Sequence, residues 1–302
     1  MMNYLKCITV MVTMLSATSS AEVAIPEQRP YPMPAKVRQS LTALASGCDV
    51  LVVGEVHGTQ EVPAIVEGLL DALSKLGFRA LALEAPHDEQ AAIAAWATGA
   101  TEAVPMFFAK PGEDGRGNEQ VLALVRRALR PPYEWKLICF DATEKELLSQ
   151  MTAYLPKGAE GSVTERAAKL SFEDIIALTV QRDALMAKYF TAEQKKLGTN
   201  ERVLAICGNV HARKANHAPA ESPLRLTWPS FAAVLKQDHP HWQLRSINVQ
   251  AFGGEYFNEG KVNKFNERPL ANVEARRIEK GDWDWELNLP RATAATFLES
   301  PD

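Results

Sequence analysis

The chain has 302 residues, long for one domain but ordinary for a single α/β unit with insertions, and 46% of them are hydrophobic, so a sizeable core can form. A formal net charge of −4 provides no electrostatic footprint for nucleic acid or an anionic membrane surface. Four cysteines, one of them near the start, do not make a disulfide framework.

Residues 1–21 read as an export signal. Lys6 supplies the positive charge, Cys7 to Leu15 is an apolar stretch too short for a membrane span, and Ser19-Ser20-Ala21 offers small residues for cleavage. Cys7 lacks the small residues that precede a lipid-modified cysteine. Cleavage after Ala21 leaves residues 22–302 as one domain, periplasmic or secreted, with no membrane attachment. Cys48, Cys139 and Cys207 remain. Their number is odd, and Cys139 and Cys207 fall inside apolar runs where cysteine behaves as a small hydrophobe. One bridge is open to them in an oxidising compartment, and none is needed.

In chain order, the proline-rich residues 22–36 form an extended arm, and a helix from about Pro34 to Ser46 leads into the first strand. That strand is the apolar run Asp49 to Val53, which stops at Gly54 and is followed by Glu55-Val56-His57-Gly58-Thr59. A short continuous apolar run bounded by a turn signal marks a strand buried on both faces, the pattern of a parallel sheet. Along an extended chain Glu55 and His57 point the same way, with Val56 opposite. A carboxylate beside an imidazole fixes its tautomer and raises its basicity, which suits a general base or a metal ligand. The plainer alternative is a histidine that only satisfies a strand-end hydrogen bond. Gly58 permits close approach of a substrate, and Thr59 is placed to cap the next helix.

Val62, Ile65, Val66, Leu69, Leu70, Leu73 and Leu76 have helical spacing over residues 60–76, and Gly77 stops the helix. Phe78 to Leu83 is a second strand ending in Glu84-Ala85-Pro86, and a helix follows from about His87 to Thr98. Residues 105–118 lack periodicity and contain Pro111-Gly112 and Gly115-Arg116-Gly117, so they read as a surface loop, either a lid or an ordinary insertion. Helices over 118–129 and 143–154 flank a third strand, Trp135 to Phe140, which runs into Asp141. Ser171 caps a long helix reaching about Lys196. Arg182-Asp183 lies on it among apolar residues, where an arginine must find an anion, either on a carboxylate-rich rim or in a surface pair. A fourth strand, Arg202 to Cys207, stops at Gly208 and is followed by Asn209-Val210-His211. Leu244 to Ala251 is a further strand, and residues 273–302 show no strong pattern.

The strands alternate with helices, which implies an α/β fold with a parallel-dominated sheet and helices on both faces. In such sheets ligands bind beyond the carboxyl ends of the strands. Glu55, His57, Glu84, Asp141, Asn209 and His211 all stand there. Asn209 is placed to orient one of the histidines. His87, His217, His239 and His241 lack a partner at suitable spacing and stay outside the proposed site.

Gly54-Glu55-Val56-His57, Leu83-Glu84, Arg182-Asp183-Ala184-Leu185-Met186-Ala187 and Gly208-Asn209-Val210-His211 occur in the order seen in a superfamily that joins erythromycin esterases, ChaN-like haem-binding proteins and Tiki/TraB proteins. The likeness spans roughly residues 49–211, extended by the strand at 244–251. The single residue between Glu55 and His57 resembles the ChaN-like spacing. The resemblance implies the fold and a site built from Glu55, His57, Glu84, Arg182 and His211. It leaves two classes of function open. One is a hydrolase of the esterase kind, in which His57 activates water, Glu55 orients it, Glu84 and His211 position substrate or share proton transfer, and Arg182 stabilises the developing oxyanion. The sequence has no Gly-x-Ser-x-Gly elbow, which favours attack by water. The other is a non-enzymatic uptake protein with haem or a divalent metal held by His57 and His211, a Tiki-type metal-dependent protease being intermediate. Either way the partner is a small-molecule substrate or ligand.

The export reading is checked by the intact mass of protein recovered from the periplasm. The expected mass begins at Glu22, and a mass that still includes residues 1–21 would contradict it.

Overall fold

The apolar runs ending in glycine or a carboxylate become the central strands of a computed structural model, described for residues 31–109, 115–155, 170–214, 229–258 and 260–298. They are β1 (Val50–Glu55), β2 (Phe78–Pro86), β3 (Lys136–Asp141), β4 (Arg202–Gly208) and β5 (Leu244–Ala251). Two strands from the tail, β8 (Glu274–Arg277) and β9 (Trp285–Leu289), complete a seven-stranded sheet in the order β3-β2-β4-β1-β5-β9-β8. All neighbours are parallel except β8, which runs antiparallel to β9. The fold is thus α/β with a mostly parallel sheet. β4 lies between β1 and β2, so Glu55, Glu84 and Gly208 reach the same edge on three adjacent strands.

Alternation along the strands divides the core in two. Leu51, Val53, Leu81, Leu83, Leu204 and Ile206 face one layer of helices: α1 (Ala35–Ser46), α2 (Glu61–Glu67), α3 (Leu70–Lys75), α4 (Gln90–Thr98) and α6 (Glu119–Leu129). Val50, Val52, Ala80, Ala82, Val203 and Ala205 face the other, formed by α8 (Phe172–Gln194) and α9 (Phe231–Asp238). The residues on this second face are smaller, which leaves room for Phe140, Phe190 and Phe231. The Phe140 and Phe231 rings stack at 4.6 Å, and Phe190 meets Phe140 edge-on at 5.8 Å. Cys48, Cys139 and Cys207 are free and buried. Burial pushes the Cys139 and Cys207 thiols up, so both serve as packing.

Several elements differ from the sequence-based expectation. The helix over 60–76 is divided at Gly68 into α2 and α3, with the chain still turning in the helical sense through Leu69. Thr59 does not cap α2; it bridges to Ala294 instead. The helix after β2 begins with a 3-10 turn at His87–Glu89. Of residues 105–118, those described, 105–109 and 115–118, are partly built into the body: they include the short α5 (Met106–Ala109), bury Phe108 fully, and end at Asn118, whose side chain accepts from Val121 N (2.8 Å) and donates to the Gly115 carbonyl (2.7 Å). α7 (Glu144–Tyr154) and α8 start at Thr143 and Ser171 with complete capping boxes. The described part of the tail contains β8 and β9, and an antiparallel hairpin, β6 (Glu255–Asn258) and β7 (Lys261–Lys264), precedes it. Each of these strands has four or five residues, too few for period-2 alternation to emerge from the sequence.

The export signal, residues 22–30 of the arm, Pro111-Gly112 and His217 lie outside the described residues. Among the described residues no helix is long and apolar enough to cross a membrane.

The aromatic cluster sets an expected ranking. Phe190→Ala should lower unfolding free energy by roughly 3–5 kcal/mol, as for a buried aromatic truncation. Cys139→Ala should cost roughly 1–2 kcal/mol. Denaturant unfolding checks both, and equal small losses would contradict the proposed second core.

Candidate active site

Glu84 stands at the centre of the site. Its side chain is 3% exposed, and each of its oxygens is occupied. Oε2 accepts the Gly208 backbone N–H at 2.7 Å and lies 3.5 Å from His57 Nε2. Oε1 accepts from Arg182 Nη2 at 2.5 Å and Arg116 Nη1 at 3.2 Å, and lies 3.7 Å from His211 Nε2. A carboxylate removed from water survives as an anion only with such partners. Burial alone would raise Glu84, but the positive neighbours His211, Arg182, His57 and Arg116 hold it well below the usual carboxylate range.

Two histidines point at this carboxylate, each backed by an acid. His57 Nδ1 meets Glu55 Oε1 at 3.0 Å, and His211 Nδ1 meets Asp183 Oδ1 at 2.6 Å. Asp183 also accepts the Phe231 backbone N–H at the start of α9 (2.9 Å). Asn209 does not orient a histidine; its backbone N–H donates to the Glu55 carbonyl at 2.8 Å. Gly208 lets the two rings approach, because a Cβ there would lie 2.9 Å from His57 Nε2 and 3.4 Å from His211 Cδ2. His57 is the more open of the two, with 19% of its side chain exposed against 7% for His211. Burial opposes charge on His57, yet Glu84 and Glu55 outweigh it and push the imidazole up to about 10.

Asp141, at the end of β3, forms the outer half of the cluster. Arg182 donates to it from Nε (2.9 Å) and Nη2 (2.7 Å), and Arg116 from Nη1 (2.6 Å). Burial raises Asp141, but Arg182 and then Arg116 prevail and keep it low. Adjacent residues on α8 thus diverge: Arg182 turns to Glu84 and Asp141, Asp183 to His211. The rim, and not a surface pair, is the partner of Arg182.

All five residues singled out from the sequence, Glu55, His57, Glu84, Arg182 and His211, meet here. Sequence reasoning missed Arg116 and the role of Asp183. An arginine between two glycines in an aperiodic stretch was the available signal for the first, and adjacency to Arg182 for the second. Gly58 is not open to substrate, because the backbone of Phe257 fills the space beside it. His87 lies apart, stacked on Tyr189 at 3.9 Å and 3.3 Å from Glu146, and His239 stacks on Trp242.

The donor set does not fit a divalent metal or an axially ligated haem iron in this arrangement. Acid-backed imidazoles are what metal sites use. Here, however, the Arg182 guanidinium stands against donor atoms a metal would need, with Nη1 3.4 Å from His211 Nε2 and Nη2 on Glu84 Oε1. Among the described residues no group of three or more His, Cys, Asp or Glu side chains is placed to hold a metal ion.

These shifts fix a pH dependence of stability. Folding raises His57 above its ordinary 6.5, so its contribution is complete below about 6.5 and is lost as pH rises through about 10. Glu84 and Asp141 are held low, so theirs is present above the ordinary carboxylate range and lost in acid below it. Thermal unfolding of wild type should weaken between about pH 6.5 and 10 relative to His57→Gln. Parallel profiles over that interval would contradict the His57 assignment.

No protein-family model matches the chain, and no curated protein matches it. Among solved structures, a succinoglycan biosynthesis protein superposes with a TM-score of 0.59 at 10% identity, over 88% of this chain and 93% of its own. A Bacillus cereus protein gives 0.56 at 10% identity over 90% and 96%. An erythromycin esterase mutant in its open conformation gives 0.51 at 13% identity over 82% and 78%. At such identities the likeness is one of architecture: the chain shares the α/β fold of the erythromycin esterase and these neighbours.

Proposed function

We propose that the protein is an exported hydrolase that cleaves an ester or lactone of a small molecule with activated water. The observation that carries this reading is the placement of His57, fixed on Nδ1 by Glu55, with Nε2 3.5 Å from Glu84 and a side chain more exposed than that of His211. In its neutral form His57 takes a proton from water as the water oxygen bonds to the carbonyl carbon. The carbonyl π pair moves to oxygen, and the Arg182 guanidinium, whose side chain is 22% exposed, stabilises the charge that develops. Collapse of the tetrahedral intermediate breaks the bond to the leaving oxygen, which receives the proton from His57. Glu84 keeps the two histidines and two arginines in register throughout, and Asp183 holds His211 beside the reacting centre.

A base raised to about 10 is mostly protonated near neutrality. Turnover should therefore climb close to tenfold per pH unit through the neutral range and level near pH 10. A panel of esters and lactones supplies the assay. His57→Ala should lower turnover on the order of 10²–10⁴-fold in a protein that still folds. A rate that falls from pH 7 to 10, or full turnover in folded His57→Ala, would contradict the mechanism. Addition of one equivalent of haem or zinc tests the rival: a Soret band or a calorimetric signal, lost in His57→Ala, would favour a carrier.

A further inference from the structure

The segment that carries His57 leaves β1 and turns at Gly58, whose φ is +73°. Its carbonyl accepts two backbone N–H groups from the last third of the chain, Phe257 at 2.9 Å and Ala295 at 2.8 Å. A Cβ at Gly58 would lie 2.0 Å from the Phe257 carbonyl oxygen, closer than any real contact. The segment that carries Arg116 enters the same point. Gly115 has φ +78°, and a Cβ on it would lie 2.7 Å from Gly58 Cα and 3.0 Å from the Phe257 oxygen. Three backbones therefore meet where no side chain fits, one residue from His57 and one from Arg116.

We propose that Gly58 and Gly115 are positioning residues, which seat the His57 and Arg116 segments against Phe257 so that the β6–β7 hairpin sets the geometry of the site. The hairpin is itself fixed at its base. Glu255 N donates to the Ala292 carbonyl and Ala292 N to the Gly253 carbonyl, both at 2.9 Å, and the Phe257 ring packs on Phe297 at 4.5 Å. Residues 292–295 run between this base and the His57 segment, where Gln60 N donates to the Thr293 carbonyl at 3.0 Å. A displacement of the hairpin is thus transmitted by hydrogen bonds to Gly58 and Gln60. This chain of contacts leads to the imidazole, which Glu55 and Glu84 hold from the other side.

The inference rests on the reading of His57 as the reacting base, but its test does not need a substrate. The full chain is labelled with ¹⁵N-histidine, and the His57 ring signals are followed against pH by NMR in wild type, Gly58→Ala, Gly115→Ala, Phe297→Ala and, as control, Val262→Thr. Val262 is an exposed residue of the same hairpin. Gly58→Ala should lower the His57 midpoint by at least about one pH unit and broaden the Nδ1–H signal donated to Glu55. Gly115→Ala and Phe297→Ala, which disturb the contact less, should give smaller changes in the same direction, and Val262→Thr none. Where an ester is turned over, kcat should fall on the order of 10²-fold in Gly58→Ala with KM changed far less. A folded Gly58→Ala or Gly115→Ala protein with wild-type His57 signals would overturn the proposal. Failure of all three variants to fold would also overturn it, since the contact would then serve the whole fold and not one residue. Shifted His57 signals in a protein that turns over no ester would uphold the positioning role and count against the hydrolase.

Discussion

The Glu84 carboxylate is the interaction on which the site depends. It is nearly withdrawn from water, and removing a partner from a buried charge of this kind typically costs about 3–5 kcal/mol. Its partners come from the segment after β1, β4, α8 and the loop before α6, so one anion ties together four separate parts of the chain. The parallel sheet makes this economical. β2 lies beside β4, and β4 beside β1, so Glu84, Gly208 and the His57 segment emerge side by side without any long reach.

Charge balance then explains why the cluster contains two arginines. Glu84 and Asp141 sit together at the rim, and each raises the other's cost of ionisation. One guanidinium, Arg182, bridges them from the helix side, and a second, Arg116, bridges them from the loop side. Glu84 also faces His57, and its charge, ahead of that of Glu55, is what raises the imidazole. The same arrangement that makes the site stable makes the imidazole unusually basic.

Much of this was legible in the sequence, because burial on both faces forces apolar runs and their glycine or carboxylate stops stand out. Leu83-Glu84 and Cys207-Gly208 mark the edge of the sheet directly, and the β5 bounds follow from Leu244 to Ala251. Arg182 declared itself by lying among apolar residues on a long helix. Arg116 did not, since its place depends on tertiary contacts of Gly115 and Asn118 that have no period. The order β2-β4-β1 was not readable either: strand sequence fixes which residues are buried, and not which strand lies next to which. β6 to β9 were missed for length alone, and with them the backbone that presses on Gly58.

The central claim is that Glu84 organises the cluster and sets the basicity of His57. The direct measurement is the pH titration of the His57 ring by NMR in wild type and in Glu84→Gln. The account predicts a wild-type midpoint near 10 that falls toward the ordinary 6.5 when the Glu84 charge is removed, with the Glu55 contact keeping it from falling all the way. A wild-type midpoint near 6.5, or one that Glu84→Gln leaves unchanged in a folded protein, would contradict it.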